Sequence, residues 1–204
     1  MDLGKKSPAD FRVCVFCGSS DGNNPEFRRQ AEQLGSALAA KGWGLVYGGA
    51  DIGLMGAMAD AALEGGGQVV GVIPQALVDR EIAHDHLTEL HIVSSMHERK
   101  ARMAALADAF IALPGGYGTL DEFLEVLTWA QLGIHQKPCV LINTADYFEG
   151  LLSFFDHAVR EDFVRIHNRQ LLLTARDTEH AIALIEDAAS GPLPTPNVAS
   201  EIRP

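Results

Sequence analysis

Residues 114–122, Pro114-Gly115-Gly116-Tyr117-Gly118-Thr119-Leu120-Asp121-Glu122, stand between a short apolar run and a helical pattern that ends near Gly133. Glycines in a strand-to-helix turn let backbone N–H groups close on an anion, and the positive end of the following helix adds to the attraction. Phosphate is the natural guest of such a turn. No Lys-Ser/Thr pair follows the glycines, so this is not a Walker loop. Thr119 and Glu122 also have the spacing of a capping box, in which the Glu reaches back to the cap residue's N–H. A carboxylate beside a phosphate loop can equally stabilise a cation or position a water. Spacing alone leaves both roles of Glu122 open.

A second glycine turn, Gly48-Gly49-Ala50-Asp51-Ile52-Gly53-Leu54-Met55-Gly56, also runs from strand to helix. Its spacing is not G-x-G-x-x-G, and Pro74-Gln75 stand where a dinucleotide site needs a ribose-binding acid. An NAD site is therefore disfavoured, and a mononucleotide or sugar-phosphate pocket fits better. The third motif is Ser94-Ser95-Met96-His97-Glu98-Arg99-Lys100-Ala101-Arg102. Ser95 and Glu98 form a credible capping box, which leaves Arg99, Lys100 and Arg102 in the first two helical turns. Cations near a helix N-terminus oppose the macrodipole. The trio is either an anion site, with Arg99 able to grip a phosphate bidentately, or a solvated helix face.

Other clusters carry less. Cys14 and Cys17, three apart in a strand, point to opposite faces and read as core cysteines. His84 and His86 have no third metal ligand within obvious reach. The helix bearing Phe148, Leu151, Leu152, Phe154 and Phe155 reads as core, with apolar excess that could serve an oligomer contact.

These motifs need a frame, and short β-rich runs alternate with helical patterns along most of the chain. Strands are expected at 12–17, 44–47, 68–73, 89–93, 109–113, 138–142 and 170–173. Helices are expected from Asn24 to Gly42, then over 53–64, from Ser95 to about 107, from the Gly118 turn to near 133, and over 147–160 and 178–188. Parallel strands need crossover helices, so the pattern predicts an α/β, Rossmann-like doubly wound and mostly parallel sheet with helices on both faces. Such sheets place ligands at the carboxyl ends of their strands. The glycine turns after the first, second and fifth strands (Gly18-Ser19, Gly48-Gly49 and Gly115 onward) fall at that edge. The domain is expected over 11–190, with an N-terminal extension at 1–10 and a proline-rich tail at 191–204.

Composition supports this and excludes much else. The 204 residues are 47% hydrophobic and 21% charged, which suits a folded domain rather than a disordered or fibrous chain. Sixteen Lys and Arg residues against 27 Asp and Glu give a net charge of −11. That surface repels nucleic acid. No signal peptide or membrane-spanning run is evident, and three cysteines fit a reduced, cytoplasmic protein.

The PGGYGTLDE run, the preceding MHERK and the upstream GGxxxGLMG together resemble the "lonely guy" family of cytokinin-activating phosphoribohydrolases, a group often mislabelled as lysine decarboxylases. The resemblance spans about residues 11–190, and TWAQLGIHQKP (128–138) continues it. It implies hydrolysis of the N-glycosidic bond of cytokinin riboside 5′-monophosphates, such as isopentenyladenosine monophosphate, or of AMP, to free base and ribose 5-phosphate. It also implies a homodimer with no metal or redox cofactor. Carried over residue by residue, Arg99 and Glu122 would be catalytic, with Arg99 acting on phosphate, sugar or leaving base. Substrate contacts would fall on Glu81, Met96, Lys100, Gly115, Gly116, Tyr117, Gly118, Thr119, Leu120, Asp121 and Thr128, with Gly18, Ser19, Gly48 and Gly49 at the other glycine turns. Ala50-Asp51 departs from the family pattern and puts an acid in a turn where it would oppose phosphate. A non-catalytic carrier of a nucleotide-like cofactor, of the molybdenum-cofactor type, is the alternative. Pyridoxal phosphate chemistry needs a Schiff-base lysine, and only Lys100 lies in a candidate site, so decarboxylation is rejected.

Overall fold

Alternation along each strand decides which face each residue buries. In β1 (Arg12–Phe16), Val13 and Val15 pack on one side of the sheet and Cys14 and Phe16 on the other. The same division holds in β2 (Gly44–Tyr47), β5 (Ala109–Ala112) and β6 (Cys139–Ile142), so these strands read as continuous apolar runs because both faces are covered. The computed structural model of the chain describes residues 10–78 and 83–190. The expected extension and tail fall outside these residues but for position 10.

Seven strands form one sheet in the order β4-β3-β2-β1-β5-β6-β7, and every neighbouring pair is parallel. The remaining strands are β3 (Val69–Pro74), β4 (Glu89–Val93) and β7 (Leu172–Ala175). The expected doubly wound sheet is therefore present, and it is wholly parallel. Helices α1 (Pro25–Ala40), α2 (Gly53–Glu64) and α8 (Thr178–Ser190) cover one face. Helices α4 (Met96–Leu106), α5 (Tyr117–Gln131) and α6 (Glu149–Arg160) cover the other.

Two short helices, α3 (Gln75–Val78) and α7 (Ile166–Arg169), were not legible, because a single turn has too few residues to show a period. The seventh strand sits two residues beyond its expected place, since Leu171–Leu173 is uniformly apolar and fixes no register. Pro74 is the last residue of β3 rather than its stop; a proline is tolerated at a strand end, where a ladder donor is least needed.

The chain crosses from β4, at one edge, to β5 beside β1 through α4. Strand order therefore reverses between β1 and β5, and the crevice at their carboxyl ends is the place such a sheet leaves for a ligand.

On the opposite side of the domain from that crossover helix, α1 and α2 approach at Gly35. A β-carbon there would lie 2.2 Å from the Met58 carbonyl oxygen and 3.0 Å from the Ala62 nitrogen, both backbone atoms that cannot swing aside. Gly35→Ala should destabilise the fold by about 1–3 kcal/mol, as overpacking does. Urea unfolding checks it: a variant as stable as the wild type would show that the helices separate freely.

Candidate active site

A cavity of about 330 Å³ opens at the β1/β5 crevice, lined by residues after β1, by the starts of α2, α4 and α5, and by α3. Helix α4 brings the cation. Its first turn is fastened by Ser95, whose Oγ accepts the Glu98 N–H at 3.2 Å. The Glu98 carboxylate accepts the N–H and the hydroxyl of Ser94 at 2.8 and 2.7 Å, and these bonds hold its pKa below the usual carboxylate range. One residue further on, Arg99 turns inward and is only 6% exposed.

Its guanidinium is held by backbone. Nε donates to the Val72 carbonyl at the end of β3, and Nη2 to the Gly48 carbonyl just after β2, each at 3.0 Å. Nη1 lies 3.8 Å from the Met96 sulfur. Among the described residues no carboxylate pairs with it, so the groups that hold the charge there do not neutralise it. A buried cation in that state attracts an anion strongly, because desolvation has already been paid. Gly48 is required by this arrangement: a β-carbon there would meet Nη2 at 2.3 Å.

Helix α5 brings the glycine loop and the carboxylate. Its N-cap is Gly116, and no side chain caps it. The first ladder bond runs from the Leu120 N–H to the Gly116 carbonyl, so the N–H groups of Tyr117, Gly118 and Thr119 precede the ladder beside the cavity. With the cap at Gly116, Thr119 is inside the helix and buried, and no capping box forms between it and Glu122. Glu122 is half-buried and lines the same cavity as Arg99. Cys17 lines it too; burial, then the negative charge of Glu122, holds its thiol far above the usual thiol range. Cys17 therefore offers no competing thiolate nucleophile.

Of the expected residues, Gly18, Ser19, Met96, Arg99, Gly116, Tyr117, Gly118, Thr119, Asp121 and Glu122 line the cavity together. Gly115 and Leu120 belong to the same loop and turn but do not line it, and the carbonyls of Gly48 and Gly49 are taken by Arg99 and by the His84 N–H. Lys100 points instead to α5, 3.1 Å from Asp121 and 3.3 Å from Glu125. Burial opposes its charge, but the two carboxylates outweigh burial and raise its pKa. A lysine so held is protonated and is no Schiff-base nucleophile. Arg102 meets His91 at 3.4 Å, so only Arg99 of the basic trio enters the cavity. Thr128 is exposed, its hydroxyl donates to the Leu124 carbonyl, and it lies outside the cavity. Glu81 lies outside the described residues.

Met55 and Leu77 line the cavity and were missed. Met55 sat within the second glycine motif, whereas Leu77 belongs to a helix too short to detect. His84 also finds partners that its sequence neighbours did not suggest, since Asp51 and Asp60 reach it through the fold with ligand atoms all within 4.8 Å. Its Nδ1 accepts the His86 N–H at 3.2 Å, so Nε2 carries the proton and donates to Asp60 at 3.0 Å. In that tautomer the ring ties the segment after α3 to α2.

Fold and cavity together define a Rossmann-like protein with a pocket at its topological switch point, where a buried arginine meets a helix start. Residues 55–185 match the family model described as "Possible lysine decarboxylase". A cytokinin riboside 5′-monophosphate phosphoribohydrolase of Rhodococcoides fascians is 52% identical over 179 residues, covering 87% of this chain and 90% of that protein. A phosphoribohydrolase of the same kind from Arabidopsis thaliana is 50% identical, covering 86% of this chain and 83% of its own length. Among solved structures, the molybdenum cofactor carrier protein of Chlamydomonas reinhardtii matches with a TM-score of 0.69 at 23% identity over 89% of this chain and 99% of that one, a likeness of fold alone. The chain belongs to the cytokinin riboside 5′-monophosphate phosphoribohydrolase family, and the decarboxylase description of the broader family does not describe its chemistry.

Gly48→Ala should displace the Arg99 guanidinium and weaken binding of ribose 5-phosphate by about tenfold or more. Titration calorimetry checks this, and unchanged affinity would mean that the cation does not serve the anion.

Proposed function

We propose that this chain hydrolyses the N-glycosidic bond of cytokinin riboside 5′-monophosphates, releasing the free base and ribose 5-phosphate. The observation that carries the reading is the sharing of one cavity by Glu122, the uncapped start of α5 and a buried Arg99 held by neutral groups. The names of the relatives support the same activity.

The 5′-phosphate binds at the N–H groups that open α5, which places the ribose toward Glu122, one turn further on. As the bond between C1′ and the base nitrogen breaks, positive charge grows on the ribose ring, and the carboxylate stabilises it. A water oriented by Glu122 forms the new C1′–O bond. The water gives up a proton, the base nitrogen gains one, and the products are neutral base and the sugar phosphate. Arg99 adds fixed positive charge on the phosphate and sugar side.

Met55, Leu77 and Met96 give the cavity an apolar side that suits a prenylated adenine better than an unsubstituted one, with AMP as a slower substrate. We further infer a homodimer, for which the exposed Leu132, Ile134, Phe154, Phe163 and Ile166 supply apolar surface. A cytoplasmic setting suits the three buried free cysteines. No helix among the described residues is long and apolar enough to cross a membrane.

Base release from isopentenyladenosine 5′-monophosphate and from AMP tests the reading. Glu122→Gln should bind nucleotide, melt like the wild type and lose release by about a hundredfold or more. A wild type that binds both nucleotides yet releases base from neither would instead be a carrier.

A further inference from the structure

The loop after β6 is strained, and the strain delivers one side chain. Residues Thr144–Asp146 form a single 3₁₀ turn in which Ala145 and Asp146 both lie in the left-handed region, at φ 51° and 57°. Neither is glycine, and such strain persists only where surrounding contacts over-determine it. The Asn143 Oδ1 accepts the Phe148 N–H at 2.7 Å and closes the loop. Between them Tyr147 is set edge-on against Phe27 of α1, with ring centres 5.4 Å apart, and against Phe148, at 4.9 Å.

The Tyr147 hydroxyl then donates to the Gly115 carbonyl at 2.7 Å. A trans peptide is planar, so its C=O and the following N–H point in opposite directions. Holding the Gly115 oxygen therefore fixes the direction of the Gly116 N–H. The preceding peptide is held in the same way, because the Pro114 carbonyl accepts the Gly18 N–H at 3.0 Å. Glycine has no side chain to restrain these two peptide planes, so outside bonds must do it. Gly116 lines the cavity and Tyr147 does not.

We infer that Tyr147 is a positioning residue for phosphate recognition: its hydroxyl, acting through the Gly115 carbonyl, aims the Gly116 N–H at the anion. The inference rests on the proposed binding of a 5′-phosphate at the start of α5. Tyr147 never touches substrate; it removes a peptide flip that would turn a carbonyl oxygen toward the phosphate.

Tyr147→Phe tests it, since the ring keeps its aromatic contacts and only the hydroxyl is lost. Affinity for ribose 5-phosphate, read by calorimetry, should fall roughly tenfold, with an unchanged melting temperature. KM for the nucleotide should rise by a similar factor while kcat stays within about twofold, because the chemistry at C1′ is untouched. Phe27→Leu, which loosens the ring and keeps the hydroxyl, should lose less affinity than Tyr147→Phe. Unchanged ribose 5-phosphate binding in Tyr147→Phe overturns the inference, as does a larger loss in Phe27→Leu. If the wild type released no base, the hydrolase reading would fail, and the ribose 5-phosphate comparison would still decide the role of Tyr147.

Discussion

The two hydrogen bonds from the Arg99 guanidinium to the backbone carbonyls of Val72 and Gly48 are the constraint around which the rest of the site is arranged. They require β2 and β3 to be neighbours with their carboxyl ends level, which the parallel pairing provides. They require α4 to cross back over those strands, which the passage from β4 to β5 provides. They also require a residue without a side chain at 48. Carbonyl oxygens hold a guanidinium in place through partial charges only, so its full charge stays available to a ligand. A carboxylate in their place would have held Arg99 as firmly and largely cancelled it.

The same economy appears on the other wall. Two carbonyls of the glycine loop are occupied by Gly18 and Tyr147, which leaves the loop's N–H groups as its free polarity among the described residues. Lys100, next to Arg99, joins Asp121 and Glu125, which stand one turn apart on the face of α5 beside Glu122. That ion pair ties the helix bearing the cation to the helix bearing the carboxylate. The two charges that matter are therefore carried on rigid elements, as a reaction sensitive to about half an ångström needs.

Much of this was legible in the sequence because it depends on local pattern. The β-rich runs and the helical period gave the parallel sheet, and glycine-rich turns after β1, β2 and β5 gave the edge where the cavity lies. Ser95 and Glu98 announced the start of α4. What sequence could not show depends on chain meeting chain. Whether Glu122 belonged to a capping box turned on a helix start two residues earlier than the Gly118 turn suggested, and end positions are the weakest inference from pattern. That Lys100 faces α5 while Arg99 faces the sheet follows from a rotation of about 100° per residue, which needs the packing of α4 to become a direction. Asp60 and Asp51 reach His84 only because the segment after α3 folds back beside Gly49. Tyr147 lies far along the chain from Gly115, and no motif links them.

Fold likeness to molybdenum cofactor carriers shows how little of the activity the sheet itself decides. A carrier and a hydrolase can share one sheet and the crevice at its switch point. They differ in what faces the atom beyond the phosphate. A carrier gains nothing from a carboxylate near the sugar, since that charge repels an anionic ligand and stabilises only a cation that forms during bond breaking. Glu122 lines the cavity of a protein whose net charge is −11, where a further carboxylate does not by itself favour an anionic ligand. In the proposed reaction the charge of Arg99 favours the anionic substrate, and the carboxylate favours the cationic transition state. A carboxylate and a buried arginine sharing one cavity thus support the proposed turnover rather than storage.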